Sequence, residues 1–347
     1  MPQATSDPGP GGLPEITVLM PVYNGARYVA LAIESVLGQT HRAFEFLILD
    51  DGSTDETPQI LAEYAARDPR LRIVRHPNMD QPATLNRGLA LARHDWVAIL
   101  DHDDVCLPQR LERQLAMLEQ EPGARLVGSW VQEINAAGAK IGERCGGPTS
   151  AAEFRALHAA GQRVPLTHPS VLLHRPTILA LGGYDPAFGS AADTELWTRV
   201  AREHTIVVVP EPLVHYRIHS QSMSFRRVFE QREMLRWILE RDGARRSGRS
   251  LPSFAAFRAA RPWWRVRRWR ERRQDLFWFF RSYCLLAVSD GETLVAAALA
   301  VCAAAIAPRN AMRLARRWLL ERLPRRGIRV ARRRLVAWLA GAAWARR

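Results

Sequence analysis

The chain has 347 residues and a formal net charge of +14, so it is long enough for one large α/β domain and an appendage. Its four cysteines are scattered without a Cys-x-x-Cys pair, which argues against a zinc cluster or a disulfide framework and favours a reducing compartment. The first 14 residues lack the basic and apolar regions of a signal peptide, so we expect a disordered leader on a cytoplasmic protein.

The positive charge is concentrated in the C-terminal third. Residues 225–347 contain 30 arginines and only 9 acidic residues, whereas the residues before them are net acidic. So large an asymmetry predicts an anionic partner for this region.

Apolar, β-rich runs alternate with segments of helical periodicity through the first 130 residues. The predicted strands cover residues 16–20, 44–49, 71–75 and 96–100. The predicted helices cover residues 26–37, the segment from a cap at 53–55 to about 67, 82–93 and 108–120. This alternation predicts a doubly wound α/β sheet with its ligand crevice at the carboxyl ends of the parallel strands.

The fourth predicted strand ends in three carboxylates. Asp101 and Asp103 are two residues apart, so they can share one divalent cation that keeps positions open for phosphate oxygens. The alternative is a solvated acidic loop that only closes the strand.

The second predicted strand also ends in paired acids, Asp50 and Asp51, followed by a Gly-Ser turn. This pair suits a nucleobase, because a carboxylate accepts a hydrogen bond from a ring N–H and a small turn allows close approach. Tyr23, in the turn after the first strand, either packs its ring on a heterocycle or lies in the core.

These motifs are part of a longer series along the chain. The series comprises Pro21-Val22-Tyr23-Asn24, residues 50–55, Asn86-Arg87-Gly88, residues 100–104, His168-Pro169-Ser170-Val171, Gly182-Gly183-Tyr184-Asp185, residues 193–199 and residues 210–219. In order and spacing it resembles the signatures of family 2 glycosyltransferases, inverting enzymes that use nucleotide-diphosphate sugars. The resemblance implies a GT-A type, doubly wound mixed sheet flanked by helices over residues 15–224, followed by a basic, mostly α-helical appendage over residues 225–347.

The resemblance implies roles on the donor side. Asp51 would accept from the nucleobase in a pocket lined by Pro21 and Tyr23, and Asp101 would lie near the ribose. The same donor-binding set includes Asn24 and Arg87.

It also implies a metal site and a base. Asp103 would bind the Mn²⁺ or Mg²⁺ that bridges the two phosphates, and His219 would complete the metal shell or have a structural role. Asp193 falls at the position of the catalytic base. One departure is visible, because the acid that usually precedes this aspartate is Ala192 here.

The implied reaction is direct displacement at the anomeric carbon, in which a carboxylate takes the proton of the acceptor hydroxyl. The expected donor is a UDP-sugar, and the expected acceptor is a lipid-linked glycan or a surface polysaccharide precursor. Residues 131–167 predict a hairpin and a mobile loop near the acceptor.

Two other enzyme classes fit the sequence less well. Asp101 to Val105 is also similar to the nucleophile motif of haloacid-dehalogenase-type phosphatases, which need a lysine downstream, and Lys140 is the only lysine. A dinucleotide-dependent oxidoreductase is disfavoured because no G-x-G-x-x-G follows the first strand.

The tail suggests a further alternative, a surface-binding protein with a non-catalytic domain. Residues 261–270 interleave tryptophan with arginine, a pattern that suits lipid headgroups or single-stranded nucleic acid. The uncharged run 293–308 is shorter than the ~20 residues of a spanning helix. We expect peripheral attachment to the anionic inner face of the cell membrane and no nucleic acid. The alternative is a basic helical appendage packed on the enzyme.

Overall fold

A computed structural model describes residues 14–222, 227–260, 266–289 and 293–307. The chain forms two compact units, one ending at Phe257 and one beginning at Arg258. The sequence resemblance predicts that the enzyme domain ends at residue 224. This domain boundary stays a prediction. The expected disordered leader lies almost entirely outside the described residues.

Nine strands form one sheet in the part of the chain that the structure describes: β1 (Ile16–Val22), β2 (Phe44–Asp50), β3 (Leu71–Arg75), β4 (Trp96–Ile99), β5 (Val105–Cys106), β6 (Ala124–Ile134), β7 (Lys140–Arg144), β8 (Leu172–His174) and β9 (Thr205–Arg217). The α-helices there are α1 (Val29–Leu37), α2 (Thr57–Arg67), α3 (Gln81–Leu91), α4 (Arg110–Gln120), α5 (Ala151–Ala159), α6 (Arg175–Ala180), α7 (Ala192–Glu203), α8 (Val228–Arg246), α9 (Phe254–Ala259), α10 (Val266–Ser289) and α11 (Thr293–Ile306).

The sheet is mixed. Its strand order is β3-β2-β1-β4-β8-β6-β9-β5, and β7 pairs with β6 outside this path. The first four strands in this order are parallel to one another. β8 runs antiparallel to β4 and β6, while β9 runs parallel to β6. The carboxyl ends of β1, β2 and β4 therefore lie at one edge, as the alternation of strands and helices predicts.

The sheet has a hydrophobic core on each face, because successive side chains of a strand point to opposite sides. Val18 and Met20 of β1 belong to the core that includes α1 and α4, whereas Leu19 belongs to the core that includes α3 and α7. On the second face α3 packs very closely, since a Cβ at Gly88 would overlap the side chain of Leu19. This burial on both faces explains why the central strands are continuous apolar runs.

The structure confirms each predicted strand and helix of the first 130 residues, with shifts of a few residues at their ends. The largest shift is at α1, which begins at Val29 and not at residue 26, because a turn occupies the preceding residues.

The predicted hairpin is present as β6 and β7, but the segment expected to be a mobile loop contains helix α5. Ser150 accepts from the backbone N–H of Glu153, and the Glu153 carboxylate accepts from the N–H of Thr149. Such reciprocal capping starts a helix, and this signal was missed in the sequence.

The second unit contains α10 and α11. The Arg273 guanidinium donates to the carbonyl oxygen of Ile306 at the end of α11, at 2.8 and 2.6 Å. Residues 261–265 of the Arg/Trp segment and everything beyond residue 307 lie outside the described residues. None of the helices described here combines the length and the apolar character that crossing a membrane requires.

Candidate active site

The loops that follow β1 and β2 are tied together by hydrogen bonds. The Asn24 backbone N–H donates to the Ser53 hydroxyl at 3.0 Å, and the Asn24 side-chain oxygen accepts from the N–H of Thr54 at 2.8 Å. The N–H of Gly25 donates to the hydroxyl of Thr57 at 2.9 Å. Asn24, expected in the donor-binding set, therefore joins the two loops. Its φ of 50° is one that asparagine tolerates better than most residues.

Asp51 is 5% exposed and organises the loop before α3. Its carboxylate accepts from the backbone N–H of Met79 at 2.8 Å and from the Asn78 amide at 3.2 Å. Each carboxylate oxygen has two lone pairs, so acceptor capacity remains for a ligand N–H.

The other residues expected around the donor differ in exposure. Pro21 is buried in β1, whereas Tyr23 is 47% exposed, so core packing of Tyr23 is wrong and its ring is open to a ligand. Arg87 lies on the exposed side of α3, and no hydrogen bond or ion pair among the described residues joins it to the other site residues.

Asp101, after β4, lies next to His168. Oδ1 of Asp101 accepts from the Gln81 amide at 3.2 Å and lies 3.6 Å from Nδ1 of His168. The opposite ring nitrogen, Nε2, lies 3.1 Å from the Tyr184 hydroxyl oxygen. Burial alone would lower the pKa of His168, but the carboxylates of Asp101 and Asp193 outweigh burial, so this pKa is raised. The two carboxylates therefore favour the protonated form of His168.

Asp193 lies in the first turn of α7, where its Oδ1 accepts from the N–H of Thr194 at 2.6 Å. Burial raises the pKa of Asp193, and the positive charge of His168 partly opposes this shift. A carboxylate with a raised pKa is a better proton acceptor than an exposed aspartate. The ring of Trp197, one turn further along α7, stacks on His168 with centroids 6.3 Å apart.

Asp103 pairs with His219, and Nε2 of the histidine lies 2.8 Å from Oδ2 of the carboxylate. Burial opposes ionisation of Asp103, but the hydrogen bond from His219 and the electrostatic effects of His102 and His219 outweigh it, so the pKa of Asp103 is lowered. An ionised carboxylate beside an imidazole is a suitable partial ligand set for Mn²⁺ or Mg²⁺, which usually take one or two carboxylates together with phosphate oxygens. No group of three His, Cys, Asp or Glu side chains suited to a metal occurs within the described residues.

Arg217 is 4% exposed and is hydrogen-bonded to the loop that carries Asp103 and Asp104. Its backbone N–H donates to the Asp104 carboxylate at 2.7 Å, and its Nε donates to the Asp103 carbonyl oxygen at 2.8 Å. Its guanidinium also lies 4.5 Å from the centroid of the Tyr28 ring. Burial, followed by the charges of Asp103 and Asp101, raises the pKa of Asp104 well above its ordinary value.

The structure thus places Asp101 beside His168, and the charge of Asp193 also acts on this histidine. Asp103 lies on the same loop as Asp101 and pairs with His219, which follows β9. Asp51 is connected to this group through the segment that leads from Met79 to Gln81. Sequence reasoning assigned no role to His168, Gln81 or Arg217. The only available signals were the motifs around His168 and Arg217, and nothing marked Gln81.

Comparisons with known proteins identify the family of this chain. The sequence model described as "Glycosyl transferase family 2" matches residues 17–144. An uncharacterized glycosyltransferase of Methanocaldococcus jannaschii is 30% identical over 224 residues, which are 63% of this chain and 76% of the relative. The O-antigen biosynthesis glycosyltransferase WbnJ of Escherichia coli is 29% identical over 215 residues, 60% of this chain and 81% of the relative.

Among solved structures, the crystal structure of residues 1–349 of S. aureus TarS superposes with a TM-score of 0.51 at 16% identity, covering 77% of this chain and 80% of TarS 1–349. This similarity supports the GT-A type of fold, and with the sequence relatives it leads to one assignment: the chain belongs to the family 2 glycosyltransferases, and it is a glycosyltransferase.

Proposed function

We propose that the enzyme transfers a sugar from a UDP-sugar to an acceptor hydroxyl with inversion at the anomeric carbon, and that Asp193 is the base. The observation that carries this proposal is that the buried His168 lies 3.6 Å from Asp101 and also interacts electrostatically with Asp193. A donor held near Asp101 would have its anomeric carbon within reach of an acceptor whose hydroxyl faces Asp193. Membership of the family removes the main support for the phosphatase and oxidoreductase alternatives.

In this proposal Asp193 takes the proton of the acceptor hydroxyl as the hydroxyl oxygen forms the new glycosidic bond. The bond between the anomeric carbon and the diphosphate oxygen breaks, and its electron pair leaves with the diphosphate. The raised pKa of Asp193 favours the proton transfer. His168 steadies the negative charge on both carboxylates while the proton moves.

UDP as the nucleotide is supported by the structural neighbour, because TarS was crystallised with UDP and with UDP-GlcNAc. In this chain Asp51, Pro21 and Tyr23 supply an acceptor oxygen and ring surface for uracil. Asn24 and Arg87 complete the expected donor-binding set, Asn24 through the loop that it holds. A cell-surface polysaccharide or lipid-linked glycan as the acceptor is supported by the similarity to WbnJ, an O-antigen biosynthesis enzyme.

We assign Mn²⁺ or Mg²⁺ to Asp103 and His219, whose carboxylate and imidazole lie together at the end of β4. When bound, such an ion stabilises the charge that develops on a departing diphosphate. Arg217 keeps the backbone of Asp103 in place for this role.

If Asp193 is the base, replacing it by Asn should reduce kcat about 10²–10⁴-fold, the usual contribution of a general base. UDP-sugar binding should remain, because the amide preserves the shape of the site. The measurement is transfer from a UDP-sugar, with donor affinity determined separately by calorimetry. Glu203→Gln, on the exposed end of the same helix, is the control and should leave both quantities unchanged. Full activity of Asp193→Asn contradicts the assignment.

The rate should fall on the acid side as Asp193 becomes protonated, and its raised pKa places this limb above that of an exposed aspartate. His168→Gln removes a positive charge that lowers the pKa of Asp193, so the acid limb should move to higher pH. The check is the pH profile of kcat. His94→Gln, at the amino end of β4, is the matched control and should not move it. If the acid limb of His168→Gln lies at the same pH as in the unchanged chain, or at a lower pH, the proposed electrostatic role of His168 is contradicted.

Thermal stabilisation by UDP should increase when Mn²⁺ is added. Asp103→Asn should abolish this metal-dependent increase, whereas the stabilisation that UDP gives without metal should remain. Asp95→Asn, at the other end of β4, removes the same charge and should behave as the unchanged chain. A metal-dependent increment that survives in Asp103→Asn would show that the ion is held elsewhere.

We further propose that the Arg-rich region attaches the enzyme to anionic lipid. Each basic residue near such a surface contributes on the order of 1 kcal/mol, and residues 225–347 contain 30 arginines. The chain should sediment with phosphatidylglycerol vesicles at low salt and be released at high salt, with phosphatidylcholine vesicles as the control. A chain that stays in the supernatant at low salt, or that only nuclease releases from cell membranes, contradicts this proposal.

A further inference from the structure

A cavity of about 460 Å³ lies against helix α7. One wall is the side of α7 that carries Glu195, Arg199 and Arg202, and the other walls are the segment 181–188 and helix α8. Asp193 is two residues before Glu195, about 200° around the helix, so it faces the opposite side. The volume is within the roughly 300–1,000 Å³ of small-molecule sites. Nothing in the proposed transfer reaction uses this cavity.

Two of the arginines that line the cavity already have partners. Arg199 pairs with Glu195 at 2.7 Å and also donates to the carbonyl oxygens of Leu181 and Gly183. Arg202 pairs with Asp242 at 3.3 Å. These arginines hold the walls together, and their charges are largely compensated.

The other two arginines are different. Arg241 and Arg245 lie four residues apart on α8 and both line the cavity. Within the described part of the chain, no carboxylate forms an ion pair with either guanidinium. The Arg241 guanidinium lies over the rings of Phe188 and Trp237, 5.5 and 5.0 Å from their centroids. A guanidinium stacked through its face keeps its in-plane N–H donors for a ligand.

The cavity also has apolar lining, contributed by Leu181, Phe188, Ile238 and Leu251. Two uncompensated guanidinium groups one helical turn apart fit a phosphate, which accepts several charge-assisted hydrogen bonds. The apolar side chains fit an organic group attached to it. A free phosphate ion would fill only a small part of the volume.

We propose that this cavity is a second ligand site, which binds an organic phosphate through Arg241 and Arg245. The source is either a soluble phosphate ester or the headgroup of a lipid, which share the same phosphomonoester chemistry. The cavity is a different site from the donor crevice, so this proposal can be tested independently of the proposed sugar transfer.

The test uses the full chain in EDTA, which removes metal-dependent binding at Asp103. The probes are glycerol 3-phosphate and dihexanoyl phosphatidic acid below its micelle concentration, titrated by calorimetry. Binding of at least one probe at millimolar concentration or better is expected. Tighter binding of the phosphatidic acid identifies a lipid headgroup as the source, and equal binding identifies a soluble ester. If neither probe binds, the proposal is overturned.

Variants locate the site. Arg245→Gln changes an exposed side chain and should weaken binding about tenfold or more, since hydrogen bonds to charged groups contribute about 1.5–3 kcal/mol. Arg241→Gln should do the same. The control Arg249→Gln removes the same charge just beyond α8 and should have little effect. Equal affinity in Arg245→Gln and the unchanged chain, or a comparable loss in Asp103→Asn, overturns the proposal.

Discussion

The active-site architecture depends on holding four carboxylates close together at one edge of the sheet. Asp101, Asp103 and Asp104 follow a single strand, and Asp193 interacts electrostatically with both Asp101 and His168. Like charges at such distances repel, and burial makes each ionised form more costly. Two histidines offset this repulsion: His168 lies beside Asp101 and also interacts with Asp193, and His219 is hydrogen-bonded to Asp103.

The repulsion between the acids is reduced differently at Asp104. It is buried, and its second carboxylate oxygen has no hydrogen-bond partner, while its pKa is raised well above the ordinary value. A protonated Asp104 adds no charge to the cluster, yet its other oxygen still accepts from the N–H of Arg217. Arg217 then connects β9 to the loop that carries Asp103 and to the turn of the β6–β7 hairpin, through the carbonyl oxygens of Asp103 and Asn135.

The sequence was sufficient for the features that local patterns encode. Buried parallel strands are continuous apolar runs, so β1 to β4 were predictable, and the acids that end β2 and β4 identified the ligand edge. It was insufficient where a role depends on contacts between distant segments. His168 lies next to Asp101 because β8, which follows it, pairs with β4, and Gln81 reaches Asp101 because α3 begins beside it. Neither contact produces a characteristic residue spacing in the sequence, so neither could be predicted from it.

Helix α7 links the two sites of the molecule physically. Its first turn carries Asp193, and on its other face Arg199 is bound to the carbonyl oxygens of Leu181 and Gly183. The next residue, Tyr184, contacts His168 through its hydroxyl, while its backbone N–H donates to Asn86 of α3. The segment that lines the cavity thus also contacts His168 through Tyr184. Because coupling between two binding sites is reciprocal, any ligand that shifts this segment on binding the cavity changes donor affinity, and the donor changes the affinity of that ligand by the same factor.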